Sequence, residues 1–442
     1  MVTYSEVINI LFFVISSILP LFFVPYLIFA IVGIFTRKKF PHAEHKSRYG
    51  IVVPARNEER VISNLIESIR QCDYPQELLD IFIVAHNCTD RTVEIVSQMG
   101  EHVYEYHSPE DKTLGYAYQF IFNKIEEDFG RSNYDGFFIF NADNSVEKDY
   151  FDKMNDAFEY YDRKYVLTSF RQASNFNENL MSVLYGAFFA TAFFLSDRGR
   201  TVMDTSIRIY GCGYLFSSDL VKDGWNYFGM TEDLELSVKE SMKGTQIRYC
   251  DDAVFYDEQP TSVRIMWRQR LRWAKGVLEV SRENFLKCLK ASFDPKRKDK
   301  FASYDLAVFI SRFPVIALLL MILHVLALFL APFFGQSLAD AFLYWDSTKL
   351  WWEPLLYPAN VGGIYLFAAD FAKAYGATML VYLLVMFLGR KRFRPDSLFK
   401  MVGGMFLFPL FLTAGVIMDI QAIFSKNLTW KQIPHTGNKD LV

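Results

Sequence analysis

Residues 7 to 36 carry no charge and are followed by Arg37-Lys38-Lys39. The run exceeds the apolar core of a secretory leader and lacks a small-residue cleavage pattern. It predicts one membrane helix, kinked or interrupted at Pro20 and Pro25. The basic cluster behind it predicts a cytoplasmic position for the domain that begins near residue 40.

From residue 40 to 260 the pattern changes to short apolar runs alternating with helical spacing. Tyr49-Gly50-Ile51-Val52-Val53-Pro54 reads as a buried strand, and residues 58–71 have helical periodicity. Ile81-Phe82-Ile83-Val84-Ala85 is a second strand, followed by a helix over 90–99. Val103–Tyr106 gives a third strand, residues 113–128 a helix, and Gly136–Phe140 a further buried strand. This alternation predicts an α/β domain with a mostly parallel sheet covered on both faces.

Residues 180–195 are uncharged but short of the roughly 20 residues a span requires, so a buried or interfacial helix is expected. Residues 262–290 read as a basic amphipathic helix or helix pair, within a region 261–300 that ends in the charged linker 294–300. Three hydrophobic segments follow in the region 301–425: residues 313–339, a stretch from about Asp370 and Lys373 to Gly389, and residues 401–418. Arg390, Lys391, Arg392 and Arg394 mark a cytoplasmic loop between the last two. Three full spans would put the tail, 426–442, outside. A last segment that enters and returns would leave it inside, which Lys426 and Lys431 favour.

The 442 residues are 51% hydrophobic and 17% aromatic, a mixture that suits a chain part embedded and part soluble. A net charge of −3 supplies no global basic field, so nucleic acid is not an expected partner. Five scattered cysteines without a C-x-x-C pair argue against a disulfide framework or zinc site.

In parallel sheets ligands bind beyond the carboxyl ends of the strands. The strand ends here are Pro54-Ala55-Arg56-Asn57-Glu58-Glu59, His86-Asn87-Cys88-Thr89-Asp90 and Asn141-Ala142-Asp143-Asn144. Each taken alone could be a helix cap, and for Glu58 and Asp90 caps and ligand groups weigh equally. Three together favour a ligand site. Asp143 at a buried strand end suits a hard cation that shares oxygens with a diphosphate. Gly211 and Gly213 would let backbone approach a ligand, or form a plain tight turn. Thr231-Glu232-Asp233 is either a cap with acids in the first turn or a carboxylate base aimed at a hydroxyl. Trp267-Arg268-Gln269-Arg270-Leu271-Arg272-Trp273 offers guanidinium forks for a diphosphate, although periodicity alone favours a Trp-anchored surface helix.

In order and spacing these pieces resemble the membrane-bound, often processive family 2 glycosyltransferases, which include cellulose, hyaluronan and poly-N-acetylglucosamine synthases. Thr231-Glu232-Asp233 followed thirty-six residues later by Gln269-Arg270-Leu271-Arg272-Trp273, with membrane segments on both sides, is the most specific part. The resemblance implies a GT-A domain inserted between transmembrane helices and inverting transfer from a nucleotide sugar, usually UDP-linked, with Mg2+ or Mn2+. It implies Asp233 as general base and Asp143 as metal ligand. Pro54, Arg56, Asn57, Glu58, Asn87, Asp90 and Asn141 fall on the nucleotide-sugar side. Gln269, Arg270, Arg272, Trp273, Glu232, Gly211 and Gly213 fall on the diphosphate and acceptor side.

The expected setting is the plasma membrane, with a growing β-glycan as acceptor. Alternatives are a single transfer to a membrane lipid and an inactive, transferase-like scaffold. Few spans weigh against a wide single-chain channel, which a partner chain or dimer could complete. Two positions depart from the pattern: Asn141 replaces the first carboxylate of D-x-D, and His86-Asn87 stands where an aspartate pair is usual. The tail segment Trp430–Thr436 is weakly similar to a Trp-containing segment that closes over the active site in some synthases.

Overall fold

The computed structural model describes residues 3–108, 110–111, 113–297, 300–343, 363–393 and 395–425. The expectations placed on Arg394 and on the tail with Lys426, Trp430 and Lys431 lie outside these residues.

The chain opens with helix α1 (Tyr4–Ile18), a 3-10 turn over Leu19–Phe23 and α2 (Val24–Phe35). The run is interrupted at the two prolines, as expected: Pro20 and Pro25 sit in the first turns of the second and third pieces, where their missing N–H groups cost nothing. The sheet domain follows as β1 (Tyr49–Ala55), α3 (Ile62–Arg70), β2 (Leu79–His86), α4 (Thr92–Gln98), β3 (His102–Tyr106) and α5 (Leu114–Asp128). It continues with β4 (Gly136–Ile139), β5 (Ser145–Val146), α6 (Tyr150–Tyr160), β6 (Val166–Ala173), α7 (Leu180–Ala192) and α8 (Arg198–Val202). A π-helical turn over Phe193–Asp197 joins α7 to α8. Then come β7 (Tyr214–Ser217), α9 (Glu232–Lys243), β8 (Ile247–Asp257) and α10 (Val263–Phe293), one continuous helix. The last part is α11 (Lys300–Ile310), α12 (Phe313–Leu328), α13 (Leu338–Leu343), α14 (Gly363–Leu388) and α15 (Leu398–Phe424).

The sheet has eight strands in the order β3-β2-β1-β4-β7-β6-β8-β5. The first four are parallel to one another, as expected. The remainder is mixed: β7 runs antiparallel to β4 and β6, and β5 antiparallel to β8. Because β6 and β8 pair in parallel, only β7 and β5 run against the other six strands, and the expectation of a mostly parallel sheet holds. Alternate side chains of a strand serve opposite faces. Val52, Phe137 and Ile139 pack under α5 and α7, whereas Ile51, Val53, Phe138 and Phe140 pack against α3 and α6.

Three described helices are long and apolar enough to cross a membrane: Leu180–Val202, Phe371–Leu388 and Leu398–Phe424. A fourth is obtained if α11 and α12, bent by 50° at their junction, count as one span. The first of these is largely buried against β6, α14 and α15, in line with the expected buried or interfacial helix. The 313–339 segment is not one element but α12, a 3-10 turn at Ala331–Phe334 and the start of α13.

Two devices fasten the apolar helices to the sheet domain. A Cβ on Gly199 would stand 2.0 Å from the Phe29 carbonyl oxygen, so α2 and α8 touch backbone to backbone. The buried Asp251 carboxylate on β8 collects Arg198 Nε at 2.8 Å, Arg392 Nη2 at 3.4 Å and Arg37 Nη1 at 3.5 Å. These arginines come from α8, the loop before α15 and the segment after α2.

Candidate functional site

Because β1, β2 and β4 run parallel, their carboxyl ends open on one edge of the sheet. A cavity of about 1070 Å³ begins there and extends to the apolar helices. The strand ends contribute Pro54, Arg56, Glu58, His86, Asn141 and Asp143 to its wall. Asn144 shapes the turn after β4: its Oδ1 accepts the Asn141 N–H at 2.9 Å, and its Nδ2 donates to Asp143 Oδ1 at 3.2 Å.

Asn57, Asn87, Asp90 and Gly213 do not line the cavity. Asn57, at φ 59°, accepts the Thr89 N–H on its Oδ1 at 2.7 Å and so joins the first two strand ends. Asn87 exchanges two hydrogen bonds with the Ser108 backbone, at 2.9 and 3.0 Å. Asp90 accepts from the Thr92 N–H at 3.0 Å and the Glu59 N–H at 3.1 Å, which ties the start of α4 to the loop after β1, although the N-cap position itself is Arg91. Gly213 faces the Phe255 ring, so only glycine fits. These four frame the site without reaching into it.

Glu232 and Asp233 enter the cavity from the first turn of α9. Thr231 stands at the N-cap with the acids in the first turn, as the capping alternative has it, but it makes no side-chain cap bond and its buried hydroxyl has no partner. Burial pushes the Asp233 carboxyl above the ordinary carboxylate range. The Leu234 and Gly211 N–H groups, Arg272 and Arg171 oppose that shift. Glu232 is raised too, first by burial and then by the Asp233 charge beside it. Two neighbouring buried acids of this kind favour one proton between them.

Arg171, on β6, is the residue that sequence reasoning missed most clearly. Its Nε lies 3.2 Å from Asp257 Oδ2, and its Nη2 donates to Cys212 Sγ at 3.2 Å. Its charge acts on both Asp143 and Asp233. Asp257, Glu258 and Gln259, at the carboxyl end of β8, complete this wall. The polar-strand-end rule would have found them had β8 been recognised. His86 also lines the cavity with a buried Nε2 that has no partner; burial and then Arg56 hold its pKa down.

On α10, Gln269, Arg272 and Trp273 share one face (i, i+3, i+4) and line the cavity. Gln269 Oε1 accepts from the Tyr185 hydroxyl at 2.8 Å, and Trp273 stands edge-on to Tyr185 and Phe189. The Arg272 guanidinium lies in the field of both α9 acids. Arg270, expected beside them, turns instead to α15: Nη1 donates to the Phe411 carbonyl at 2.7 Å and the guanidinium covers the Phe411 ring. It borders the cavity on the side of the apolar helix α15.

Among the described residues no three His, Cys, Asp or Glu side chains gather in a metal cage. One carboxylate, Asp143, with the Asn141 amide nearby, suits a divalent cation that keeps its waters and takes its other oxygens from a diphosphate.

The model of the glycosyltransferase-like family 2 matches residues 46–276, just over half of the chain. A probable glycosyltransferase of Bacillus subtilis, YdaM, is 27% identical over 57% of this chain and 59% of its own length. The poly-beta-1,6-N-acetyl-D-glucosamine synthase of Staphylococcus epidermidis is 23% identical over 58% of this chain and 61% of its own. The match thus spans about three fifths of these relatives. Among solved structures, a mannosyltransferase from Pyrobaculum calidifontis, in complex with GDP-Man and Mn2+, superposes with a TM-score of 0.55. It is 15% identical and covers 94% of this chain and 99% of its own. The likeness extends beyond the sheet domain to the apolar helices.

Proposed function

The chain belongs to the glycosyltransferase-like family 2, and from that premise we propose inverting transfer of a sugar from a nucleotide sugar, UDP-linked, to an acceptor at the membrane. The carrying observation is one cavity that joins Asp143 at a strand end and Asp233 in the first turn of α9 to Trp273 and the apolar helices. The donor lies over the carboxyl ends of β1 and β4, near Pro54, Arg56 and Asn141. Mg2+ or Mn2+ held through Asp143 would neutralise part of the diphosphate charge. Asp233 accepts the proton of the acceptor hydroxyl as its oxygen attacks the anomeric carbon from the face opposite the leaving group. Arg272 stabilises the charge that grows on the departing diphosphate. Gln269 and Trp273 orient the acceptor: an indole can stack on a sugar ring, and a primary amide can bond a hydroxyl.

The matched relatives and the apolar end of the cavity support a plasma-membrane enzyme with a cytoplasmic catalytic domain and a growing β-glycan as acceptor. Transfer of a single sugar to a lipid is the second reading. It is favoured by the wall that Tyr26, Leu27, Ala30 and Leu412 present to the acceptor side. The test is a donor screen by nucleotide release in purified membranes, followed by sizing of radiolabelled product. Release with one nucleotide sugar and a ladder of products supports the polymerase. A single short lipid-extractable product supports the second reading. No release with any donor refutes both.

A further inference from the structure

The apolar end of the cavity carries three guanidinium groups that the transfer scheme leaves unused. The Arg208 guanidinium lies 3.6 Å from the centre of the Phe309 ring. Arg270 leans on Phe411 and on Gly415, where an added Cβ would stand 2.6 Å from its Nη2. Arg312, at the bend between α11 and α12, pairs with Asp419, one turn of α15 beyond Gly415. All three arginines line the same cavity, and the charges of Arg208 and Arg270 both act on Arg312.

Asp419 is the sole carboxylate among the described residues that line this end. Asp197, which does not line the cavity, also lies in the field of Arg208. Neither Arg208 nor Arg270 has a carboxylate within ion-pair distance among the described residues. The wall around them is mostly apolar, with Tyr26 and Leu27 of α2, Phe309 of α11 and Val416 of α15, and its polar members Thr191, Ser196 and Tyr210 carry no charge to offset the arginines. Grouped cations in such a wall are costly unless an anion joins them. A guanidinium fork matches phosphate oxygens, and a neutral glycan offers nothing that needs three such charges.

Resting on the transferase reading above, we propose that the acceptor is an amphiphile whose phosphate sits among Arg208, Arg270 and Arg312, with its hydrocarbon chain along α2 and α15. The phosphate then anchors the acceptor while its sugar or hydroxyl end reaches toward Trp273 and Asp233. The donor diphosphate keeps Arg272, which faces the α9 acids instead.

The test uses the full chain in neutral dodecyl maltoside, with dodecyl phosphate as probe and octyl glucoside and inorganic phosphate as comparators. Binding is read by tryptophan fluorescence. Arg270 ties α10 to α15, so the variants are R208Q and R312Q. Each should weaken dodecyl phosphate binding by about tenfold, the loss of one charge-assisted contact, while affinity for UDP is retained as the sign of a folded site. Octyl glucoside binding as tightly as the probe would overturn the proposal, as would unchanged probe binding in both variants. Inorganic phosphate binding as tightly as the probe would reduce the site to one for a soluble anion. Loss of UDP affinity in monodisperse variants would assign the arginines to the donor. Arg-dependent probe binding without nucleotide release from any donor would leave this site standing and remove the transferase reading.

Discussion

Substituting Asp233 by Asn removes the proposed base while changing little else. The side chain keeps its shape and one oxygen, so a backbone N–H from Leu234 or Gly211 still has an acceptor. What disappears is the proton acceptor and one negative charge facing Arg272 and Arg171. Loss of general-base assistance lowers turnover by about 10²- to 10⁴-fold, or roughly 3–5 kcal/mol of barrier. The charge change acts the other way on the leaving group's partner. With one anion fewer beside Arg272, UDP binds D233N at least as tightly as the parent. The pH dependence adds a second signature. A base works only when deprotonated, and burial raises Asp233 above the ordinary carboxylate range. Activity therefore falls as pH drops through that raised value, with an acid limb at higher pH than an exposed aspartate would give. The assay is nucleotide release from neutral into acid pH, with UDP titrated in parallel. Near-parental turnover in D233N refutes the base assignment. Turnover and UDP binding lost together would show that the substitution damaged the site rather than the chemistry.

Asp143→Ala should abolish the part of UDP binding that EDTA abolishes in the parent; EDTA-insensitive tight binding in the parent would count against a cation there. Gly276→Ala puts a Cβ 2.4 Å from Thr231 Cγ2, between α10 and the residue preceding the two acids. A shift of that size at the site should lower turnover by about tenfold or more. Gly376→Ala, whose Cβ meets nothing within 4 Å, should leave turnover unchanged. Asp251→Asn removes the buried anion shared by the half-buried Arg198 and Arg392 and should cost about 3 kcal/mol, the low end for a broken buried pair because both arginine side chains still reach water, visible as a lower melting temperature. Burial alone would raise the Asp251 pKa, but Arg392 and Arg198 outweigh it and hold the carboxyl below its ordinary value. Its contribution is thus present above the unfolded pKa and lost as pH falls through the lower folded one. Melting curves over the acid range should show that dependence in the parent and a weaker one in D251N.

The β1–β4 half of the sheet was legible because its strands are short, unbroken apolar runs buried on both faces, as in Ile81–Ala85. The other half was not. The β8 strand carries Arg248, Asp251 and Asp252 within Ile247–Asp257. Its buried charges are matched by Asp204 and Arg198, residues distant in sequence, so the run looks polar until it folds. Arg171 escaped for the same reason, since its partner Asp257 lies on the neighbouring strand but far along the chain. The paired glycines divided in a way spacing could not foretell. Gly211 offers its N–H to Asp233, whereas Gly213 only makes room for Phe255. Among the strand-end residues, Asp143 and Asn141 reach the cavity, while Asn57, Asn87 and Asp90 are consumed in holding loops together.

The basic stretch on α10 posed two readings, a membrane-surface helix or a set of ligands, and the helix geometry removes the choice. Successive residues point about 100° apart, so neighbours serve different surfaces. Gln269, Arg272 and Trp273 face the cavity and the α9 acids. Trp267, Arg270 and Lys275 hydrogen-bond Gln421, Phe411 and Ser425, all on or just beyond α15. The start of α15 is also held by the sheet domain, through the Lys400 contact with the Asn177 carbonyl and the Asp396 N–H bond to Asn177 at 3.0 Å. A helix fastened near both ends to the same body cannot tilt or slide without disturbing α10. Any acceptor that displaces α15 must therefore move the backbone that carries Arg272 and Trp273. Occupancy at the apolar end of the cavity and geometry beside Asp233 are in this way mechanically linked through α10.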